Sequence, residues 1–137
     1  AKASRKSVMS VKTPQVLVVE DSEVAQMSAV SLLEQLHCKV SAADSGEQAI
    51  EKAKAQAFDV IFMDIGLPDI DVLTVTETIL HHYQHLEHDK PVIIAVTAYG
   101  SDSIKSQCLK AGMSDFVEKP LTSSAAKQLI ERYTVVA

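Results

Sequence analysis

Three stretches of this 137-residue chain run from apolar residues into charge. Val16–Leu17–Val18–Val19 leads to Glu20–Asp21, Val60–Ile61–Phe62–Met63 leads to Asp64, and Asp115–Phe116–Val117–Glu118 leads to Lys119–Pro120. Carboxylates brought together repel one another. A small hard cation with oxygen ligands, Mg²⁺ above all, relieves that repulsion and commonly bridges carboxylates to a phosphoryl group. Thr97, which closes a fourth apolar run, adds a hydroxyl, and Lys119 adds an ammonium donor for an anion. A carboxylate nucleophile, a metal, a hydroxyl and a lysine together form a phosphoryl-transfer site, because that chemistry is mostly in-line positioning plus charge neutralisation.

These residues lie far apart along the chain, so the site exists only if the fold brings them together. Apolar runs near 16–19, 58–63, 92–96 and 115–118, with a weaker one at 39–43, are rich in β-branched residues and lack polar alternation, as strands buried on both faces do. Amphipathic segments alternate with them. Ala25, Ala29, Leu32, Leu33 and Leu36 make one apolar stripe on a first helix. Ser45 with Gln48 resembles a capping box for a second helix whose Ala49, Ile50 and Ala53 face inward. Further helices are predicted over about 72–86, 102–111 and 123–133, with Gly112 placed to end the fourth. Five βα units with right-handed crossovers make a doubly wound α/β sandwich on a five-stranded parallel sheet. In such a sheet ligands bind beyond the carboxyl ends of the strands, where Glu20, Asp21, Asp64, Thr97 and Lys119 would all be delivered.

Composition narrows the function classes. The chain fits one domain, and 47% hydrophobic residues supply a core covered on both faces. A net charge of −5 argues against nucleic-acid binding through a broad basic surface and favours a basic partner. Cys38 and Cys108 lack metal-ligand spacing and read as buried or semi-buried thiols in a reduced, cytoplasmic setting. No apolar run approaches a membrane span, so no direct membrane contact is expected. Residues 1–14, rich in Ser and Lys and closed by Pro14, read as a linker or flexible arm, with one folded domain over 15–137. The four glycines form no phosphate-binding loop and no dinucleotide fingerprint.

The acidic pair Glu20–Asp21, the stretch Met63–Asp64–Ile65–Gly66–Leu67–Pro68, the strand end Val96–Thr97–Ala98 and the run Ala111–Gly112–Met113–Ser114–Asp115–Phe116–Val117–Glu118–Lys119–Pro120 resemble the receiver domains of two-component signalling. The phrases around Glu20–Asp21–Ser22–Glu23–Val24 and Ala111–Gly112–Met113 are most similar to receivers attached to hybrid sensor histidine kinases. The resemblance implies a flavodoxin-like (βα)5 fold with strand order 2-1-3-4-5. It implies that Asp64 accepts a phosphoryl group from a phosphohistidine on a histidine kinase or histidine phosphotransfer protein, with self-catalysed transfer and dephosphorylation. Glu20, Asp21, Asp64 and the backbone carbonyl of Gly66 would hold Mg²⁺, Thr97 and Lys119 would bind the phosphoryl oxygens, and Thr97 with Phe116 would form a switch. The peptide bond before Pro120 is expected to be cis, weak self-association is a further expectation, and a longer parent chain would tether the domain to the inner membrane. One departure stands out. The family often has glycine eight residues after the phosphoacceptor, where this chain has Val72, so a negative φ and a rerouted loop from Gly66 to Asp71 are expected.

Other readings of the same residues compete. The acidic pair would serve as a helix cap, and Asp64, Thr97 and Lys119 taken singly as a turn residue, a strand former and a solvated charge. A phosphorylation-independent interaction module would keep the fold and leave the site unused. A haloacid-dehalogenase-like phosphatase would use Asp69–Ile70–Asp71, although those follow a loop rather than a strand. His81, His85 and His88, with His82 beside them, have zinc-like helical spacing, but histidines also suit a helix C-terminus. Tyr99 and Gly66 border the site, where they would tune water access.

Overall fold

The structure is a computed structural model and describes residues 13–67, 69, 71–84, 90–98 and 102–134. Strands β1 (Gln15–Val19), β2 (Lys39–Ala43), β3 (Val60–Asp64), β4 (Val92–Thr97) and β5 (Asp115–Glu118) alternate with helices α1 (Glu23–Gln35), α2 (Gly46–Ala55), α3 (Val72–Tyr83), α4 (Asp102–Ala111) and α5 (Ser123–Tyr133). All strand pairs are parallel and the sheet order is β2-β1-β3-β4-β5. The chain thus has the doubly wound topology expected from its alternating pattern. The expected arm meets the described residues only at Thr13 and Pro14. Pro14 is buried, and its carbonyl accepts the Lys39 N–H at 2.9 Å.

Side chains alternate across the central strands and build two cores. Leu17, Val19, Ile61, Met63, Ile93 and Ala95 face α2, α3 and α4, meeting Ala49, Ala53, Val75, Ile79 and Cys108. Val16, Val18, Val60, Phe62 and Ile94 face α1 and α5, meeting Leu33, Ala126, Leu129 and Ile130. Both faces of β1 and β3 are therefore dry, which is why those strands read as continuous apolar runs. Of the α1 stripe, Leu33 is buried outright, and Ala25, Ala29, Leu32 and Leu36 are half-buried.

Two boundaries and one cap differ from the sequence reading. Phe58 opens the third apolar run yet precedes β3; it fills the core from the connecting loop, and the strand ends on Asp64. Helix α3 closes at Tyr83 with Gln84 as C-cap, so it stops short of the predicted 86. The capping box of α2 is displaced by one residue. Ser45 Oγ accepts the Gln48 N–H at 3.1 Å, but Gln48 Oε1 reaches back to the N–H of Asp44 rather than that of Ser45.

Val72 is the first residue of α3, capped by Asp71, and its side chain is buried in the core. Among the described residues only His37 and Gly112 have positive φ, so Val72 avoids the left-handed region as expected. His37 and Gly112 both close Schellman motifs. Cys38 N–H reaches Leu33 O after α1, and Met113 N–H reaches Cys108 O after α4. The backbone asks for glycine at 112: its φ is +112°, where a side chain is strained, and a Cβ there would also displace the end of the Leu80 side chain. Gly112→Ala is expected to destabilise the fold by roughly 1–2 kcal/mol, read as a lower urea midpoint with unchanged slope.

Candidate functional site

The parallel register delivers the charged residues to one edge. Asp64 ends β3 opposite Val96, Thr97 ends β4 opposite Glu118, and Glu20 and Lys119 directly follow β1 and β5. The ladder continues one residue past the strands through Glu20 N–H to Ala43 O, Ile65 N–H to Val96 O and Lys119 N–H to Thr97 O, at 3.0, 3.1 and 2.8 Å. Backbone pairing therefore holds Glu20, Asp64, Thr97 and Lys119 at their roots. The Lys119–Pro120 peptide bond is cis, as the resemblance implied.

Glu20, Asp64 and Thr97 are buried at the floor of this edge, while Asp21 and Lys119 reach solvent. Lys119 Nζ lies 3.1 Å from Asp64 Oδ1 and 3.3 Å from Glu20 Oε1. Gly66 N–H donates to Asp64 Oδ1 at 2.9 Å, and Ser22 N–H donates to Glu20 Oε2 at 2.9 Å. One carboxylate oxygen from each of Glu20, Asp21 and Asp64 lies within 4.8 Å of the other two; this is the one such group of potential metal ligands among the described residues. Oxygens so spaced can converge on a single small cation.

The electrostatics fit that reading. Burial, and then the negative charge of Asp64, push the Glu20 carboxyl above its ordinary range even though Ser22 N–H and Lys119 pull the other way. For Lys119 burial disfavours the charge, but hydrogen bonding and attraction to Asp64, then to Glu20, win and raise its pKa. One ammonium shared between two of three carboxylates leaves a net negative cluster.

Several supports lay beyond sequence reasoning. Gln26 Nε2 donates to both Glu20 O and Ala43 O, at 3.1 and 3.2 Å, bracing the acidic pair from α1. Ser22, not the acidic pair, caps α1 through Ala25 N–H. Lys105 Nζ sits 4.6 Å from the centroid of the half-buried Phe116 ring, a cation–π contact on the expected switch aromatic. Only the serine carried a signal, its position before an amphipathic stripe.

The competing sites are not assembled among the described residues. Asp69 accepts N–H groups at the start of α2 and Asp71 caps α3, so the phosphatase pair is occupied at two helix ends. His81 is exposed and His82 packs edge-on against Tyr83, while His85 and His88 lie outside the described residues, as do Pro68, Ile70 and Tyr99. Cys38 and Cys108 are free and buried, and burial pushes both thiols up. No helix among the described residues is long and apolar enough to cross a membrane.

Comparison with known proteins agrees with this geometry. The family model for the response regulator receiver domain matches residues 16–131. The signal transduction histidine-protein kinase BarA of Escherichia coli K12 is 39% identical over 118 residues, covering 86% of this chain and 12% of that protein. The receiver domain of sensor histidine kinase PA1611 from Pseudomonas aeruginosa, whose crystal structure has a magnesium ion coordinated in the active site cleft, superposes with TM-score 0.77 at 30% identity over 89% of this chain and 98% of that one. A Saccharomyces cerevisiae response-regulator complex, in which the receiver domain of Ssk1 is bound to the histidine phosphotransfer protein Ypd1, matches with TM-score 0.82 at 25% identity over 89% of each chain. The chain therefore spans about one eighth of the length of the curated kinase it matches, 12%.

Proposed function

Because this chain belongs to the response regulator receiver family, we propose that it accepts a phosphoryl group on Asp64 and passes on that signal, or the group itself, within a two-component phosphorelay. In the reaction an Asp64 carboxylate oxygen bonds to phosphorus while the bond from phosphorus to the donor imidazole nitrogen breaks; the bonding pair stays on that nitrogen, and the proton carried by the other ring nitrogen leaves the donor histidine neutral beside an aspartyl phosphate. Glu20, Asp21, Asp64 and the Gly66 carbonyl would hold Mg²⁺, which supplies neutralisation of the charge gathered around the transferred group. Lys119, 3.1 Å from Asp64, is placed to bind a phosphoryl oxygen. Thr97, buried at the end of the adjacent strand, is proposed as the second phosphoryl contact and, with Phe116, as the switch.

The observation that carries this reading is the meeting of Glu20, Asp64 and Lys119 at one sheet edge, with Glu20 and Asp64 buried. The donor would be a histidine kinase or a histidine phosphotransfer protein, consistent with the partner bound by the yeast relative. Exposed Val24 and Met27 on α1 offer apolar contact beside the acidic pair for such a partner. The parent is proposed to be a hybrid kinase, with residues 1–14 as its linker and this domain on the cytoplasmic side. Incubation with a small acyl-phosphate donor and Mg²⁺ should add one phosphoryl mass to the intact protein, and a chelator should suppress it. No mass gain with either the small donor or a phosphorylated histidine protein would overturn the proposal and favour a phosphorylation-independent module.

A further inference from the structure

The loop that leaves the proposed phosphoacceptor is tied to the start of α2, the helix that follows β2. Asp69 Oδ1 accepts the N–H of Gly46 at 2.9 Å, and Oδ2 accepts that of Glu47 at 3.2 Å. These are the first two N–H groups of α2, which cannot be satisfied within the helix. The third, Gln48 N–H, goes to Ser45 Oγ, and the fourth, Ala49 N–H, goes to Ser45 O. Among the described residues, the protein acceptor for the first two N–H groups of α2 is thus a carboxylate from a segment 23 residues away. Negative charge at that helix end adds to the two hydrogen bonds.

The same loop is held at its other end by the site. Gly66 N–H binds Asp64 Oδ1 at 2.9 Å, only three residues before Asp69. Ile65 and Leu67 on either side of Gly66 pack against the core, while glycine itself adds no side chain, and among the described residues an added Cβ would meet only Asp64 Oδ1, at 3.5 Å. The geometry points to Asp69 as a positioning residue. By clamping the loop onto α2 it holds the Gly66 backbone where the proposed metal and phosphoryl chemistry needs it, a role that rests on the function proposed above. Asp69 touches no reacting atom and acts through the loop.

The test separates loop positioning from helix stability. Asp69→Ala and Ser45→Ala both remove capping bonds from α2, so both should lower the melting temperature. Only Asp69→Ala frees the loop. With the full chain, Mg²⁺ titrated by calorimetry should bind Asp69→Ala about tenfold more weakly, the lower end of what losing an outer-shell partner costs. Phosphorylation by a small acyl phosphate at fixed, subsaturating Mg²⁺ should slow in parallel. Ser45→Ala should keep the wild-type Mg²⁺ affinity within about twofold. Asp69→Asn, which retains a single acceptor oxygen for two N–H groups, should fall between and covers the case in which Asp69→Ala fails to fold. Unchanged Mg²⁺ affinity in both Asp69 variants, or equal weakening in Ser45→Ala, overturns the inference while leaving the phosphoacceptor function standing. A wild-type protein that neither binds Mg²⁺ nor labels overturns both.

Discussion

Asp64→Asn should reduce phosphoryl incorporation to background with every donor while leaving the fold intact. The substitution is nearly isosteric and retains the Oδ1 acceptor that serves both Gly66 N–H and Lys119, so local packing and hydrogen bonding survive. What disappears is the anionic oxygen able to bond to phosphorus. Neither neighbouring carboxylate can replace it on the proposed reading. Glu20 follows β1 at one side of the site, whereas Asp64 ends the central strand β3, with Glu20 on one flank and Thr97 of β4 on the other. Asp21 is exposed, and among the described residues the ion pairs of Lys119 go to Glu20 and Asp64. Intact-mass measurement after incubation with donor and Mg²⁺ decides the point. Undiminished labelling of the variant would move the acceptor elsewhere and overturn the assignment.

The alternation of buried strands and amphipathic helices was legible because each central strand buries both faces. β1 carries Val16, Leu17, Val18 and Val19 into two different cores, as a strand of a doubly covered parallel sheet does. What escaped was information held in tertiary contacts. Phe58 looked like strand because it is apolar, yet it packs from a loop. Val72 read as a departure because the family resemblance led to an expectation of glycine there. Here it starts α3 and fills the core, so the β-branched residue packs in a helical conformation.

The site divided in the same way. Glu20, Asp64, Thr97 and Lys119 were readable because strand ends in a parallel sheet share an edge, so position along each strand fixes position in space. Their supports were not readable. Gln26 braces two strand-end carbonyls from within a helix, and Asp69 binds a helix whose start lies 23 residues earlier. Each looks like an ordinary polar surface residue until the loops and helices are placed.

Mg²⁺ should raise the melting temperature of the wild-type protein, and Asp64→Asn should raise it without metal while shrinking the metal response. Folding gathers Glu20, Asp21 and Asp64 to within 4.8 Å at their ligand atoms, whereas unfolding separates and hydrates them. One Lys119 ammonium shared between Glu20 and Asp64 offsets only part of the charge of three carboxylates, and burial, with the Asp64 charge after it, holds the Glu20 carboxyl above its ordinary range. Since a carboxyl with a raised folded pKa binds protons more tightly when folded, metal-free stability from Glu20 should fall as pH rises from the ordinary carboxylate range through its raised value. Removing the Asp64 charge should flatten that fall. The Lys119 contribution has the opposite origin but is also lost upward: it is full below the ordinary lysine pKa and disappears as pH climbs through the raised one. At one hundred times its dissociation constant, Mg²⁺ bound only to the folded state adds about 2.7 kcal/mol. The charge removed by Asp64→Asn should contribute roughly 1 kcal/mol without metal, a rise of some 3–5 °C for a domain of this size. Melting curves in chelator and in millimolar Mg²⁺, repeated across pH, read all of these. A wild-type curve unmoved by saturating Mg²⁺, or an Asp64→Asn variant that melts lower in chelator, would mean that repulsion at this sheet edge is not the quantity a cation relieves.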